Sequence, residues 1–190
     1  MNAPHKAVFL DRDGTLIEES GYLDRLERMV FFPYAVDSVR ALNRSGFAVI
    51  VVTNQAGIAR GIVKEAFVGE AHRAIADRLA AGGARIDAFY YCPHYRTGVL
   101  TEYVKECDCR KPRPGMLRRA AEEHGLDLTR SFVVGDRWHD VGAGRAVGAR
   151  GVLLRTGLGR GEEARPEPGL TADAIVDTLA DVIAWILDQP

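Results

Sequence analysis

Two aspartates, Asp11 and Asp13, directly follow the apolar run 7–10. A strand that ends in Asp is usually entering a turn, because the Asp side chain hydrogen-bonds to nearby backbone groups. Two carboxylates one residue apart can also carry out chemistry, since the first can attack an electrophile and the second can transfer a proton. The pair alone is compatible with a turn or with a reaction centre.

Groups of complementary chemistry follow other apolar runs. Thr53 and Asp136 each come after such a run, and Lys111 precedes a predicted helix. Two carboxylates from separate strand ends suit one hard divalent ion, and Mg²⁺ binds proteins through few carboxylates. A hydroxyl, the backbone N–H groups after Thr53 and a lysine suit a phosphoryl group. The set predicts phosphoryl transfer in which Asp11 attacks phosphorus and Asp13 moves the proton.

Short apolar runs alternate with helical patterns along the chain. The runs predict strands at 6–10, 48–52, 88–91, 131–135 and 151–155, and the patterns predict helices at 34–46, 64–83, 114–125 and 179–187. The runs are continuously apolar, which indicates a sheet covered on both faces. We therefore predict an α/β fold with a doubly wound, mostly parallel sheet and helices on both faces. Ligands of such sheets bind outside the carboxyl ends of the strands, so the polar groups should converge there.

Composition limits the classes of function. The chain has 190 residues, 47% of them hydrophobic, and a net charge of −1, which predicts a single globular domain over 1–190. No basic patch is present, which excludes general binding of nucleic acid or of a membrane surface. No apolar stretch is long enough for a signal peptide or a membrane span, so we expect a cytoplasmic protein. We also expect a monomer. The Gly-rich segment 157–170 predicts a mobile, solvated loop.

All three cysteines lie in one short segment. Cys92, Cys107 and Cys109, with His94, form a Cys₃His set of the kind that holds structural zinc. The spacing within each pair is one residue, whereas ordinary zinc fingers have two, so three unrelated thiols remain an alternative. A closed set of four ligands has no open position, and the Zn²⁺ would therefore fold the loop 92–109 after the third strand rather than catalyse.

Four motifs resemble those of the haloacid dehalogenase-like phosphatases, in the same order. They read "FLDRDGTL", "VVTNQAG", "RKPRPGM" and "VGDRWHD", across residues 9–140. The segment "CPHY…CDCRKPRPGM" is similar to the zinc loop of one branch, which contains heptose-bisphosphate and histidinol-phosphate phosphatases. The resemblance implies that Asp11 is the nucleophile and Asp13 the general acid/base. It also implies that Thr53 and Lys111 stabilise the phosphoryl group.

The resemblance further implies the ligands. Mg²⁺ would be held by Asp11, by the backbone carbonyl of Asp13 and by Asp136, and Zn²⁺ by the Cys₃His set. The substrate would be contacted by Glu19, Ser20, Gly21, Tyr22, Asn54, Gln55, Ala56, Arg110 and Arg137. Arg110 could reach a distal phosphate with its planar fork. The chain between the first motif and the second strand is too short for a cap domain, so a capless member is expected.

These inferences favour a Mg²⁺-dependent phosphatase acting on a small sugar bisphosphate. It would remove the 7-phosphate of D-glycero-D-manno-heptose 1,7-bisphosphate through an aspartyl-phosphate, and would supply heptose 1-phosphate for nucleotide-heptose and lipopolysaccharide-core synthesis. A histidinol-phosphate phosphatase is the first alternative, because Arg137 stands where the heptose branch is expected to have Lys. A catalytically dead, zinc-stabilised binding module is the second. The intact Asp11, Asp13 and Lys111 argue against it.

Overall fold

Six parallel strands form one sheet in the computed structural model, which describes residues 5–189. The strands are β1 (Ala7–Leu10), β2 (Ala48–Asn54), β3 (Ala88–Cys92), β4 (Phe132–Gly135), β5 (Arg150–Leu154) and β6 (Ala174–Val176). Their order is β3-β2-β1-β4-β5-β6, and each neighbouring pair is parallel. The order reverses at β1, which lies between β2 and β4. The predicted doubly wound α/β class is confirmed.

Helices cover both faces of this sheet. They are α1 (Ala35–Arg44), α2 (Ala56–Ala59), α3 (Glu65–Ala81), α4 (Gly115–His124), α5 (Trp138–Arg145), α6 (Gly159–Glu163) and α7 (Leu179–Leu187). Side chains of α1, α3 and α7 share one apolar core with Val8 and Leu10. Side chains of α4 and α5 share the other with Ala7 and Phe9. Because successive strand residues point to opposite faces, a strand buried on both sides has a continuous apolar sequence.

The prediction of a mobile, solvated loop at 157–170 is wrong for its first part. Residues Gly159–Glu163 form α6. This short helix is fixed by Trp138, whose indole N–H donates to the Glu162 carbonyl at 2.8 Å and whose backbone N–H donates to Glu162 Oε2 at 3.0 Å. Glycine content hides the helix in the sequence, because glycine lowers intrinsic helix propensity. The same cause hides α5, which contains Gly142 and Gly144.

The connection from β1 to α1 is short on regular structure. Among residues 11–34 the structure has a single 3₁₀ turn, Leu26–Arg28, and no separate cap domain. Most of the segment is therefore an irregular loop, and Glu19, Gly21 and Tyr22 of this loop line the cavity described below. As for membranes, no helix within residues 5–189 combines the length and the apolar character that a bilayer span requires.

Candidate active site

Three of the predicted residues lie at the carboxyl ends of adjacent central strands. Asp11 follows β1, Asp136 follows β4, and Thr53 lies near the end of β2. All three are buried, with residue exposures of 8% for Asp11 and 1% for each of the other two. The parallel pairing of β1 with both neighbours brings these strand ends to one edge of the sheet.

Lys111 lies at the centre of this edge. Its ammonium nitrogen is 2.7 Å from Asp11 Oδ1 and 2.6 Å from Asp140 Oδ1, and it donates to the Val52 carbonyl at 2.6 Å. Its side chain is fully buried. Burial opposes the charged form, but the charges of Asp11 and Asp140 outweigh it and raise the pKa of Lys111 to about 12. The lysine is therefore a fixed positive charge against the predicted nucleophile.

Asn54 holds the backbone of Lys111. The Asn54 amide nitrogen donates to the Lys111 carbonyl, and the Lys111 N–H donates to the Asn54 side-chain oxygen, both at 3.1 Å. Asn54 also lines the cavity described below, as predicted for a substrate contact. Both polar ends of its amide are nevertheless used to position Lys111.

Asp140 belongs to the site, although no role was predicted for it from the sequence. It is completely buried, pairs with Lys111, and accepts a hydrogen bond from the Arg137 N–H at 3.1 Å, which caps the first turn of α5. Oxygens of Asp11, Asp136 and Asp140 lie within 4.8 Å of one another. The available signal was its position four residues after Asp136, on the first turn of a helix that the sequence did not predict.

The three carboxylates carry more negative charge than Lys111 neutralises. Within residues 5–189, no Lys, Arg or His nitrogen lies within 4.0 Å of the Asp136 carboxylate. Burial, together with the charges of Asp11 and Asp140, raises the pKa of Asp136 to about 8. Burial also raises the pKa of Asp11, against the opposing charge of Lys111. A buried, oxygen-rich and undercompensated set of this kind fits a hard divalent cation.

Two glycines and a backbone N–H enclose one oxygen of Asp136. The Leu158 N–H donates to Asp136 Oδ2 at 2.8 Å. A Cβ on either Gly14 or Gly157 would lie 2.2 Å from the same oxygen, and both glycines have positive φ angles, of 80° and 52°. Thr156 closes the arrangement, because its hydroxyl donates to the Gly14 carbonyl at 2.6 Å. The loop after β5 thus orients Asp136, and no reactive side chain marked it in the sequence.

Asp13 is held beside the strand ends by a buried arginine. Arg12 donates to the Asp13 carboxylate through Nε and Nη2, both at 3.0 Å, and is only 1% exposed. Gln55 donates to Asp13 Oδ2 at 3.1 Å and to the Thr53 hydroxyl at 2.9 Å. Gln55 therefore links the predicted acid/base to the predicted phosphoryl contact.

A cavity of about 540 Å³ opens above these groups. The predicted residues that line it are Asp11, Asp13, Glu19, Gly21, Tyr22, Thr53, Asn54, Gln55, Ala56, Arg110, Asp136 and Arg137. Ser20 is not among the lining residues, and Lys111 lies buried beneath the cavity. The wall also contains Arg60, Tyr95 and His139, to which the sequence assigned no role.

The Cys₃His residues come together beside the cavity. The three Sγ–Sγ distances are 3.1, 3.3 and 3.5 Å, and His94 Nδ1 is 3.4 Å from Cys109 Sγ. The thiols are free, with no disulfide among them. Zn–S bonds of about 2.3 Å in a tetrahedral site place sulfurs roughly 3.8 Å apart, so a small expansion admits the ion. The donor set and its closeness fit zinc.

The cysteine cluster is connected to the cavity through Arg110. This residue follows Cys109 directly, and its guanidinium donates to the His94 carbonyl at 3.3 Å. The loop is also tied to α4, because the Gly115 N–H donates to the Asp108 carbonyl at 2.9 Å. The position of Arg110 in the cavity wall therefore depends on the conformation of the cysteine loop.

Comparison with known proteins places the chain. The HAD-hydrolase-like family model matches residues 108–182. The D-glycero-beta-D-manno-heptose-1,7-bisphosphate 7-phosphatase of Escherichia coli (strain K12) is 40% identical over 185 residues, which cover 96% of this chain and 94% of the relative.

Solved structures agree with this placement. The D,D-heptose 1,7-bisphosphate phosphatase from B. bronchiseptica, complexed with magnesium and phosphate, matches with a TM-score of 0.86 and 31% identity, covering 97% of this chain and 99% of that one. The D,D-heptose 1,7-bisphosphate phosphatase from Burkholderia thailandensis matches with a TM-score of 0.72 and 30% identity over the same shares. This chain therefore belongs to the haloacid dehalogenase-like phosphatases, in the family of the heptose-1,7-bisphosphate 7-phosphatases.

Proposed function

We propose that this chain is a Mg²⁺-dependent phosphoric monoester hydrolase that removes the 7-phosphate of D-glycero-β-D-manno-heptose 1,7-bisphosphate. The observation that carries the proposal is the cluster of Asp11, Asp136 and Asp140 around Lys111 at the strand ends. It lies in a chain that is 40% identical to a phosphatase named for this substrate. The product, heptose 1-phosphate, would serve nucleotide-heptose and lipopolysaccharide-core synthesis.

The first half of the reaction forms an aspartyl-phosphate. Lys111 holds Oδ1 of Asp11, which orients the other oxygen toward phosphorus. The bond from this oxygen to phosphorus forms as the bond from phosphorus to the sugar oxygen breaks. Asp13, in its protonated form, donates its proton to the departing sugar oxygen. Thr53 and Lys111 stabilise charge on the transferred group.

The second half releases phosphate. Asp13, now ionised, accepts a proton from a water molecule, whose oxygen attacks the phosphorus of the aspartyl-phosphate. The phosphorus–Asp11 bond breaks, which yields inorganic phosphate, restores the Asp11 carboxylate and leaves Asp13 protonated for the next cycle. Arg12 and Gln55 donate hydrogen bonds to the Asp13 carboxylate, which holds it in position for this step.

Two metal ions would support these residues. Mg²⁺ would be held by Asp11, by the Asp13 backbone carbonyl and by Asp136, and when bound it neutralises charge on the phosphoryl oxygens. The magnesium in the B. bronchiseptica structure supports this assignment. Zn²⁺ would be held by the Cys₃His residues and would fix the loop that carries Arg110 and Lys111.

The same proposal includes the substrate contacts, the extent of the domain, the oligomeric state and the location in the cell. The predicted substrate contacts that line the cavity, all of the nine except Ser20, would surround the sugar and the distal phosphate. We take residues 1–190 as a single phosphatase domain, with the zinc loop 92–109 after the third strand. We also expect it to act as a monomer in the cytoplasm.

A substrate comparison tests the proposal. The purified protein is assayed for phosphate release from the β and α anomers of heptose 1,7-bisphosphate and from histidinol phosphate, with and without Mg²⁺. We expect the highest kcat/KM for the β anomer, a requirement for Mg²⁺, and a product that retains the 1-phosphate in ³¹P NMR. A higher kcat/KM for histidinol phosphate would overturn the assignment of substrate. Absence of release from every compound would favour a binding module.

A further inference from the structure

Two arginines lie against one tyrosine ring in the cavity wall. The guanidinium carbons of Arg60 and Arg110 are each 4.6 Å from the centre of the Tyr95 ring. Arg60 also lies 5.8 Å from the centre of the Tyr22 ring. All four residues line the cavity that contains the Asp11 carboxylate. Both guanidiniums thus lie against the same ring, and a bound anion would offset the repulsion between their like charges.

The protein supplies no such anion from the residues described. Within 5–189, no carboxylate oxygen lies within 4.0 Å of the guanidinium of Arg60 or Arg110. Arg12 and Lys111 differ, because Arg12 is paired with Asp13 and Lys111 with Asp11. Charge at this edge is therefore available to a ligand.

The lining of the cavity carries charges of both signs. The cationic side chains of Arg60, Arg110 and Arg137 line the same cavity as the carboxylates of Asp11, Asp13, Glu19 and Asp136. Of these three arginines, Arg60 and Arg110 share the Tyr95 ring.

The position of Arg60 couples it to the reaction centre. The residue directly follows α2, and α2 begins immediately after the stretch from Thr53 to Gln55. The short helix α2 therefore separates the predicted phosphoryl contact, Thr53, from the guanidinium of Arg60. Arginine suits a phosphate here, because its planar fork can make two parallel hydrogen bonds to phosphate oxygens.

We propose that Arg60, placed beside Arg110 by the Tyr95 ring, binds the phosphate that is not hydrolysed and thereby sets the preference for bisphosphates over monophosphates. The inference rests on the proposed function, since it requires a substrate with a second phosphate. Arg60 acts as a specificity residue that contacts substrate, and Tyr95 acts as a positioning residue.

Steady-state kinetics with paired substrates test it. Wild type, Arg60→Met and Arg96→Met are assayed with β-heptose 1,7-bisphosphate and with heptose 7-phosphate, which lacks the distal phosphate. In Arg60→Met we expect KM for the bisphosphate to rise about 10- to 100-fold, as is typical for loss of hydrogen bonds to a charged group. We expect kcat, and the values for the monophosphate, to stay within about twofold. Arg96 is the matched control, since it is exposed, adjacent to Tyr95 and outside the cavity wall.

Tyr95 variants separate the ring from its hydroxyl. Tyr95→Phe keeps the platform for both guanidiniums and should lose little of the bisphosphate preference. Tyr95→Ala removes the platform and should lose most of it. Retention of the full preference in Arg60→Met, or an equal loss on both substrates, would overturn the inference while leaving the proposed function intact. A wild-type protein that hydrolyses neither heptose would instead overturn the proposed function.

Discussion

The two clusters of metal-ligand residues are built in opposite ways. The carboxylate cluster lies at the ends of β1 and β4, and a protein cation, Lys111, already occupies its centre. The cysteine cluster joins Cys92, the last residue of β3, to three ligands in the segment that follows, and its sulfurs are 3.1–3.5 Å apart with no protein cation among them. The carboxylates are held by strand ends, whereas three of the four Cys₃His residues lie in a loop that is tied by backbone hydrogen bonds to Ala59 and Gly115.

This difference predicts that the carboxylate cluster serves catalysis and that the cysteine cluster serves the structure of its loop. The sheet keeps the carboxylates close even though burial and the charges of Asp11 and Asp140 raise the pKa of Asp136 to about 8. A loop offers less restraint than a sheet, so we expect the conformation of the cysteine loop to depend on the proposed Zn²⁺. Damage to the carboxylate cluster should therefore remove activity and spare the fold. Damage to the cysteine cluster should disorder the loop and reduce activity indirectly.

The sharpest contrast is expected from Asp11→Asn. Loss of the nucleophile should lower kcat at least about 10³-fold, as is typical when a covalent catalyst is removed. The fold should persist, because Lys111 retains its pairing with Asp140. Phosphate release and circular dichroism measure the two effects.

Asp77→Asn is the matched control for this change, because Asp77 is an exposed carboxylate on α3. It should behave as wild type. Undiminished phosphate release in Asp11→Asn would refute the covalent mechanism.

Cys109→Ser tests the other cluster. We expect loss of bound zinc and a fall in kcat/KM of roughly 10- to 100-fold, because Arg110 and Lys111 directly follow the altered ligand. Metal analysis, kinetics at saturating Mg²⁺, and hydrogen exchange over 93–109 measure these effects. Thr97→Ala, an exposed change in the same loop, serves as the control. Removal of zinc with an unchanged kcat/KM would show that the ion does not position these cations.

The sequence predicted the residues of the site better than it predicted their supports. Asp11, Thr53 and Asp136 could be found because continuous apolar runs mark buried strands, and polar groups follow those strands. Five predicted strands appear within a few residues of their expected limits, whereas β6 was missed because its apolar run, Ala-Ile-Val, has only three residues.

The supports were missed for a different physical reason. Gly14 and Gly157 act through the side chains that they lack, and Leu158 acts through its backbone N–H. Such contributions depend on where the loop after β5 lies, and no side chain in the sequence indicates that position. Arg60 was missed because it is 35 residues from Tyr95 in sequence, and only the folded chain brings the two side chains together.

Gly157→Ala tests whether this backbone support serves the metal site. The added Cβ would lie 2.2 Å from Asp136 Oδ2 and 2.7 Å from Gly14 Cα, so the carboxylate or the loop must move. We expect the Mg²⁺ concentration for half-maximal activity to rise on the order of 10-fold, as is typical when a partner of a metal ligand is disturbed.

Gly161→Ala is the control for the glycine change. A Cβ at this position would come no closer than 3.5 Å to another residue, the flexible end of Arg165. Its Mg²⁺ dependence should match that of wild type. An equal shift in both variants would mean that the loop responds to general strain rather than to contact with Asp136.

The smallest expected effect concerns the pH dependence of stability. The pKa of Asp136 is about 8 in the folded, metal-free protein against an ordinary value of 3.8, so between these values the folded state holds a proton that the unfolded state has released. The free energy of unfolding should therefore decrease as pH rises from 5 to 8, by up to about 1.4 kcal/mol per pH unit. Asp136→Asn cannot ionise and should show a shallower slope in urea titrations with chelator present. Mg²⁺ competes with this proton, so it should stabilise wild type more at pH 8 than at pH 6 and should do little for the variant.

Equal slopes of the free energy of unfolding against pH for the two proteins would contradict this prediction. They would show that Asp136 ionises in the folded protein at its ordinary pKa, and that the neighbouring carboxylates and burial do not raise it.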